Sequence, residues 1–346
     1  MSTERRLTAL TRRTGLALSA LALAALSGCG SGGASDNSEA VRENGSVDLS
    51  KVTITVGDQK GGSKALLRAS GVLDELPYKV KWKEFTSGPP LMEALNAGSI
   101  DIGGVGNTPP LFAAASDAKI VVVAGDTMGA KGDTIVVPKD SPIKDPGDLE
   151  GKKVAVAKGS SANYNLLAQL DKAGADFGKV DVQYLQPADA LAAFSAGHVD
   201  AWAIWDPYTA QAEVDEQARV IVDGGGLVNG MVFQAANPDS LKDKATAAAF
   251  KHYVGRLAEA KVWSNTHRQQ WAKVWAEETG LSPEVTGRAV NRRVAKPTAL
   301  DDKVIASEQE MADAFVAAKL LPEKFDVKPF FDNRYDDVVL QSARKE

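Results

Sequence analysis

A pattern that occurs twice in the same order constrains this chain more than any other feature. Val52-Thr53-Ile54-Thr55-Val56 alternates as a half-buried strand does, runs through Gln59 into Lys60-Gly61-Gly62-Ser63, and continues into Ala65-Leu66-Leu67 as a helix start. Val154-Ala155-Val156-Ala157 repeats this through Lys158-Gly159-Ser160-Ser161 into Leu166-Leu167-Leu170. Downstream, Glu93-Ala94-Leu95-Asn96-Ala97-Gly98-Ser99-Ile100-Asp101 is matched by Ala192-Ala193-Phe194-Ser195-Ala196-Gly197-His198-Val199-Asp200. Each copy then enters an apolar strand, ending at Val105-Gly106-Asn107 in one and Ile204-Trp205-Asp206 in the other. Lys60 precedes Asp101 by 41 positions and Lys158 precedes Asp200 by 42. Order and spacing together predict two similar α/β lobes. Ligands of open α/β sheets sit beyond the carboxyl ends of the strands, so two facing lobes aim both turns into one cleft.

Small residues at such a turn let backbone approach a ligand, and the free N–H groups of a helix's first turn attract an anion. Ser160 or Ser161 also reads as a simple helix cap. Gly57 to Lys64 is close to a phosphate-binding loop, but that motif needs Lys followed by Ser or Thr, and here Ser63 precedes Lys64. No Gly-x-Ser-x-Gly elbow surrounds Ser160. His198, His252 and His267 have no metal-ligand spacing, and a single cysteine excludes an internal disulfide and a cysteine-rich zinc site. No catalytic constellation, metal or cofactor is expected. Trp205 closes a strand, where it either fills core or walls a cleft. Asp206 before Pro207 suits a helix cap with proline in the first turn.

The N-terminus is an export signal rather than fold. Arg5, Arg6, Arg12 and Arg13 precede an apolar run, Leu16 to Leu26, too short to span a bilayer. Leu26-Ser27-Gly28-Cys29 resembles the lipobox of bacterial lipoproteins, with Cys29 as the acylated residue. Residues 1–28 are therefore expected to be a lipoprotein signal peptide and 29–50 a flexible, lipid-anchored tether rich in Gly, Ser, Asp and Asn. Cleavage before Cys29 removes four arginines and one glutamate, taking the formal charge from -5 to -8. A chain so acidic is a poor nucleic-acid binder.

Lobe I is expected to begin over residues 51–138, with Thr108-Pro109-Pro110 opening a helix. Pro138 to Pro146 reads as the crossover and 139–228 as lobe II, with Gly224-Gly225-Gly226 the return hinge. Residues 229–346 come back to lobe I and turn helical, where Trp263, His267, Trp271 and Trp275 recur at i+4 and read as core.

At these residues the chain resembles the aliphatic-sulfonate-binding proteins of bacterial ABC importers, a family related to taurine- and nitrate-binding proteins. The resemblance spans Val52 to Asp332. It rests on Gln59-Lys60-Gly61, Glu93 to Asp101, Thr108-Pro109-Pro110, Lys158 to Ser161, and above all Asp200-Ala201-Trp202-Ala203-Ile204-Trp205-Asp206-Pro207-Tyr208. It implies an α/β, two-lobe type II periplasmic-binding-protein fold with two hinge crossovers and a helical C-terminal part. Gln59, Gly61, Gly62, Asn107, Thr108, Ser160, Ser161, Trp205 and Asp206 then fall on cleft segments. One departure is Asn107, where many members carry an acid.

The implied protein is a monomeric, lipid-anchored solute-binding protein on the extracytoplasmic face of the cell membrane. It would hold a small organosulfonate by helix-start N–H groups and hydroxyls, with Trp205 on the alkyl part, and pass it to an ABC permease. Taurine, nitrate or a sulfate ester would suit the same cleft. An enzyme on this fold, the pyrimidine synthase of thiamine biosynthesis, carries a cysteine-rich motif, whereas Cys29 is the only cysteine here and precedes the fold.

Overall fold

Alternating burial along the first predicted strand is what starts the architecture. In the computed structural model, which describes residues 37–344, β1 (Thr53–Gln59) buries Ile54 and Val56 and leaves Thr53 and Thr55 only half-buried. It leads into α1 (Ser63–Ala69), whose fully buried Leu67 contributes roughly 1.5 to 3 kcal/mol of apolar burial. The chain continues through β2 (Lys79–Phe85), α2 (Gly88–Asn96), β3 (Ile102–Gly106), α3 (Thr108–Ala114) and β4 (Val121–Thr127). β2 is an edge strand, and its exposed Lys79, Lys81 and Lys83 discourage pairing with another chain.

The second lobe comprises β5 (Thr134–Val137), β6 (Lys153–Val156), α4 (Ser161–Ala173), β7 (Asp181–Tyr184), α5 (Pro187–Ser195), β8 (Ala201–Ile204), α6 (Tyr208–Asp215) and β9 (Arg219–Asp223). The chain returns as β10 (Met231–Ala236) and then runs through α7 (Pro238–Lys242), α8 (Lys244–Thr266), α9 (Arg268–Thr279), α10 (Pro283–Asn291), β11 (Lys296–Thr298), α11 (Asp302–Ala317) and α12 (Asp336–Ser342).

The two sheets are ordered β11-β4-β10-β3-β1-β2 and β7-β6-β8-β5-β9. Apart from β11, they are the same sheet built twice. In each, a central strand pairs in parallel with two others (β1 with β2 and β3, β6 with β7 and β8), and an antiparallel strand that crosses from the other lobe joins next (β10, β5). The repeated segments perform the same task in both copies. Gly98 and Gly197 end α2 and α5 in the left-handed region (φ 66° and 69°). Asp101 and Asp200 then each donate their N–H to, and accept an N–H from, one residue of the central strand: Thr55 at 2.8 and 2.7 Å, Lys153 at 2.8 and 2.8 Å. Those partners lie five residues before Lys60 and Lys158, so the spacing seen in the sequence is a sheet register.

Three expectations need correction. The first crossing falls at residues 128–133, not at Pro138 to Pro146, because β5 pairs with β8 and β9 and so belongs to the second sheet. A fully buried Ile135-Val136-Val137 run cannot reveal which sheet it joins. Secondly, part of the expected tether is ordered. Asn37 donates to Thr53 O and Thr246 Oγ1, Val41 bridges Val47, and Ala40 is buried against the first core. Thirdly, the helical tail is interrupted by β11, which extends the first sheet. The signal peptide, Cys29 and the rest of the tether to residue 36 lie outside the described residues.

Candidate functional site

A cavity of about 190 Å³ opens where the carboxyl ends of β1, β3 and β8 face one another. The structure brings Gln59, Gly61, Gly62, Ser160, Ser161, Trp205 and Asp206 together on its walls. Asn107 and Thr108 are not there. Both are buried behind the cleft, Asn107 donating to Asn229 Oδ1 at 2.7 Å and Thr108 packing on Met311. Each closes the β3 end of a hinge network instead of facing ligand.

The two Lys-Gly turns share a backbone, with Gly61 and Gly159 at φ 69° and 70°. Gly61 is doubly constrained, since a Cβ there would land inside the Trp275 indole. They differ in what they offer an anion. The α1 start is already occupied, because Asp58 accepts from Ser63 N (2.8 Å) and Lys64 N (3.0 Å), while Gly62 N donates to Gln59 O. At α4 the Ser160 hydroxyl accepts from Asn163 N (3.3 Å) and Gly159 N donates to Asn163 Oδ1 (3.0 Å). Ser161, the first residue of α4, stays on the cleft wall with its N–H pointing out of the helix start. The first turn reaches the cleft as expected but offers an anion no helix-start donor from Ser63 or Lys64, because the internal carboxylate of Asp58 fills it.

Electrostatics of the cleft come largely from residues that sequence reading missed. Arg293 stands half-buried, its Nη2 donating to Asp206 O at 2.8 Å and its guanidinium 4.7 Å from the Trp275 ring centroid. Lys261 is consumed by the buried carboxylate of Asp126. Asp133 accepts from Ser161 Oγ at 2.8 Å, and burial pushes it up to about 6, with Asp206 adding to the rise. Burial also takes Asp58 to about 6 against the pull of its backbone donors. Asp206 is raised by burial and drawn back by Arg292 and Arg293. Its Oδ1 accepts from Ala210 N (3.0 Å) and Arg292 (3.2 Å), so it serves a first-turn N–H of α6, but the helix starts one residue later than expected, with Pro207 and not Asp206 in the cap position. Met128, Gln234 and Trp271 also line the cavity, so the aromatic stripe read as core faces the cleft at Trp271. Only the adjacent Arg292-Arg293, ending a helix in an otherwise mixed-charge tail, signalled any of this in the sequence.

The lobes touch across the cleft as well as behind it. Gln186 Oε1 accepts from Thr86 Oγ1 (3.0 Å) and Ser87 Oγ (2.8 Å), and Lys60 Nζ lies 5.7 Å over the Tyr208 ring. On the hinge side, Leu111 and Phe112 of α3, Tyr164 and Leu167 of α4, and Met311 and Phe315 of α11 form one apolar cluster. Among the described residues no helix is long and apolar enough to cross a membrane.

The family described as NMT1/THI5 like matches residues 79–251. A protein of Escherichia coli (strain K12) named for binding aliphatic sulfonates is 38% identical over 289 residues, covering 82% of this chain and 89% of the relative. The alkanesulfonate-binding protein SsuA from Xanthomonas axonopodis pv. citri, solved with MOPS bound, superposes with TM-score 0.76 at 37% identity, over 81% of this chain and 98% of that one. The periplasmic aliphatic sulphonate binding protein SsuA from Escherichia coli gives 0.71 at 35%, over 84% and 99%.

Proposed function

The chain belongs to the NMT1/THI5-like family, among its aliphatic-sulfonate-binding proteins, and from that premise we propose that it captures an aliphatic sulfonate between its lobes and delivers it to an ABC permease. Its relatives are binding proteins, and it is one too, not an enzyme. The observation that carries the ligand reading is the α4 start beside Arg293: free helix N–H groups and one guanidinium converge on a cavity that also offers apolar surface at Trp205, Met128, Val105 and Trp271. A sulfonate accepts hydrogen bonds through three oxygens and is scarcely protonated, so it suits fixed donors. Trp205 and Met128 take the alkyl part.

The periplasmic setting of the Escherichia coli relative supports an extracytoplasmic place for this chain. A lipid on Cys29 would hold it at the membrane, and Cys29→Ala is expected to release it into the soluble extracytoplasmic fraction. Retention of Cys29→Ala at the membrane would refute the anchor.

Calorimetry of the exported protein over methane-, ethane-, propane- and butanesulfonate tests the ligand. Affinity is expected to rise by up to about 0.8 kcal/mol per buried methylene, and Trp205→Ala to flatten that rise. Sulfate or nitrate binding as tightly as the best alkanesulfonate overturns the assignment.

A further inference from the structure

Ser161 faces both lobes at the α4 start. Across the cleft it meets Gly106 at the end of β3, where an added Cβ would lie 3.3 Å from Ser161 Cβ, and within its own lobe its hydroxyl donates to Asp133 Oδ1 at 2.8 Å. A serine hydroxyl carries one proton, so while Asp133 is a carboxylate that proton is not available to an anion. The helix start that offers N–H groups to a sulfonate thus keeps a carboxylate one hydroxyl away, and both Ser161 and Asp133 line the cavity.

The surroundings leave that carboxylate poorly compensated. Asn165 Nδ2 of α4 and Gly224 N both donate to the Asp133 carbonyl, which fixes its place. Asp206, at the end of β8, repels it; Arg293, after α10, attracts it but is shared with Asp206 and Asp126. Arg292 is taken by Asp206 and Glu213, and Lys261 by Asp126. Asp223, next to Thr134 in the sheet, is exposed and accepts from Gly225 N, Lys131 on the same loop as Asp133 is exposed, and Asp58 and Lys60 line the cavity from the other lobe. Burial and Asp206 hold the Asp133 carboxyl up to about 6, with the Ser161 hydroxyl pulling it down. An anion brought into the cleft adds a second like charge and raises it further.

We propose that Asp133 sets the direction of the Ser161 hydroxyl and that anion capture is proton-linked through this pair. As the anion enters, Asp133 takes a proton from solvent and its O–H donates to Ser161 Oγ. The serine proton then turns to the anion, and the like charge is removed in the same event. Asp133 is a positioning residue, acting on the ligand through Ser161. This rests on the sulfonate reading above and adds its regulation: capture is tightest in acid and weakens as pH rises past the carboxyl of the empty protein.

Calorimetry on the exported protein from pH 5 to pH 8 tests it with butane-1-sulfonate, which has no group titrating in that range. Affinity is expected to be level below pH 5.5 and to fall by about fivefold to tenfold between pH 6.5 and pH 7.5, the slope of one linked proton. Buffers of different ionisation enthalpy at pH 7 should show uptake of most of one proton per ligand. Asp133→Asn, first shown to melt within a few degrees of wild type, retains Asp58 and Asp206. It is expected to lose the slope and to bind at pH 7.5 at least as tightly as wild type, because its amide donates to Ser161 Oγ at every pH. Ser161→Ala removes a donor from the ionised carboxylate, so it should bind more weakly and begin its fall at a higher pH. A flat wild-type profile without proton uptake, a slope that survives Asp133→Asn, or an unmoved break in Ser161→Ala refutes the linkage and leaves the sulfonate reading standing. If butanesulfonate binds at no pH, both fall.

Discussion

Replacing Glu308 with glutamine should stabilise this protein, and by an amount that grows with pH. Glu308 lies on α11 with no exposed surface, and Oε1 accepts from Asn229 Nδ2 at 2.7 Å while Oε2 has no partner. The groups around it are Asn229 from the return crossover, Ser307 beside it, and Tyr164 from α4, none of them a cation. Burial therefore pushes it from an ordinary 4.5 up to about 8. The sign follows from linkage. Above pH 4.5 the unfolded chain releases this proton while the folded chain keeps it, so the contribution is full below 4.5 and is lost as pH rises to about 8. At 1.36 kcal/mol per unit, the loss between pH 5 and pH 8 is roughly 3 to 4 kcal/mol. Glutamine keeps the acceptor for Asn229 and cannot ionise. Urea unfolding of wild type and Glu308→Gln at pH 5 and pH 8 should show their stability gap widening by that amount in favour of the variant. A gap that stays constant across this range would refute the argument that Glu308 is held neutral.

Two further outcomes follow from the cleft. Gly61→Ala should cost on the order of 3 kcal/mol, since it combines a left-handed backbone with overlap of Trp275, whereas Gly174→Ala, at φ 70° with open space around it, should cost only about 1 kcal/mol. Equal thermal shifts for the two would show that the Trp275 contact carries no weight. Gln186→Ala should leave melting unchanged but weaken ligand binding several-fold, because the closed state loses roughly 1 kcal/mol of bonding to Thr86 and Ser87. Scattering should then show less compaction at a fixed sulfonate concentration, and unchanged affinity would mean that this bridge does not hold the lobes shut.

Several structural features were legible from local pattern. Strand alternation at Val52 to Val56 and Val154 to Ala157 gave the two central strands. The Lys-Gly turns gave two helix starts with a glycine at positive φ, and Asp101 and Asp200 gave the matching end of each unit. Repetition made these readable, because each copy tests the interpretation of the other. Asn107 and Thr108 were misplaced for a related reason. They occupy the position that Trp205 and Asp206 hold in the second lobe, but in this lobe Asn229 of the return crossover and Met311 of α11 bond to them.

The sequence by itself determined the two-lobe α/β plan and the segments whose ends meet in a cleft, since strand period, turn residues and caps all act over a few neighbours. Only the tertiary structure decided the charge of that cleft. Asp58 fills its own helix start, Lys261 is spent on Asp126, and Arg293 arrives from 87 positions beyond Asp206 to donate to its carbonyl. Which charges cancel depends on distance and burial between residues far apart in the chain, because Coulomb attraction and the cost of desolvation act through space, without regard to sequence order.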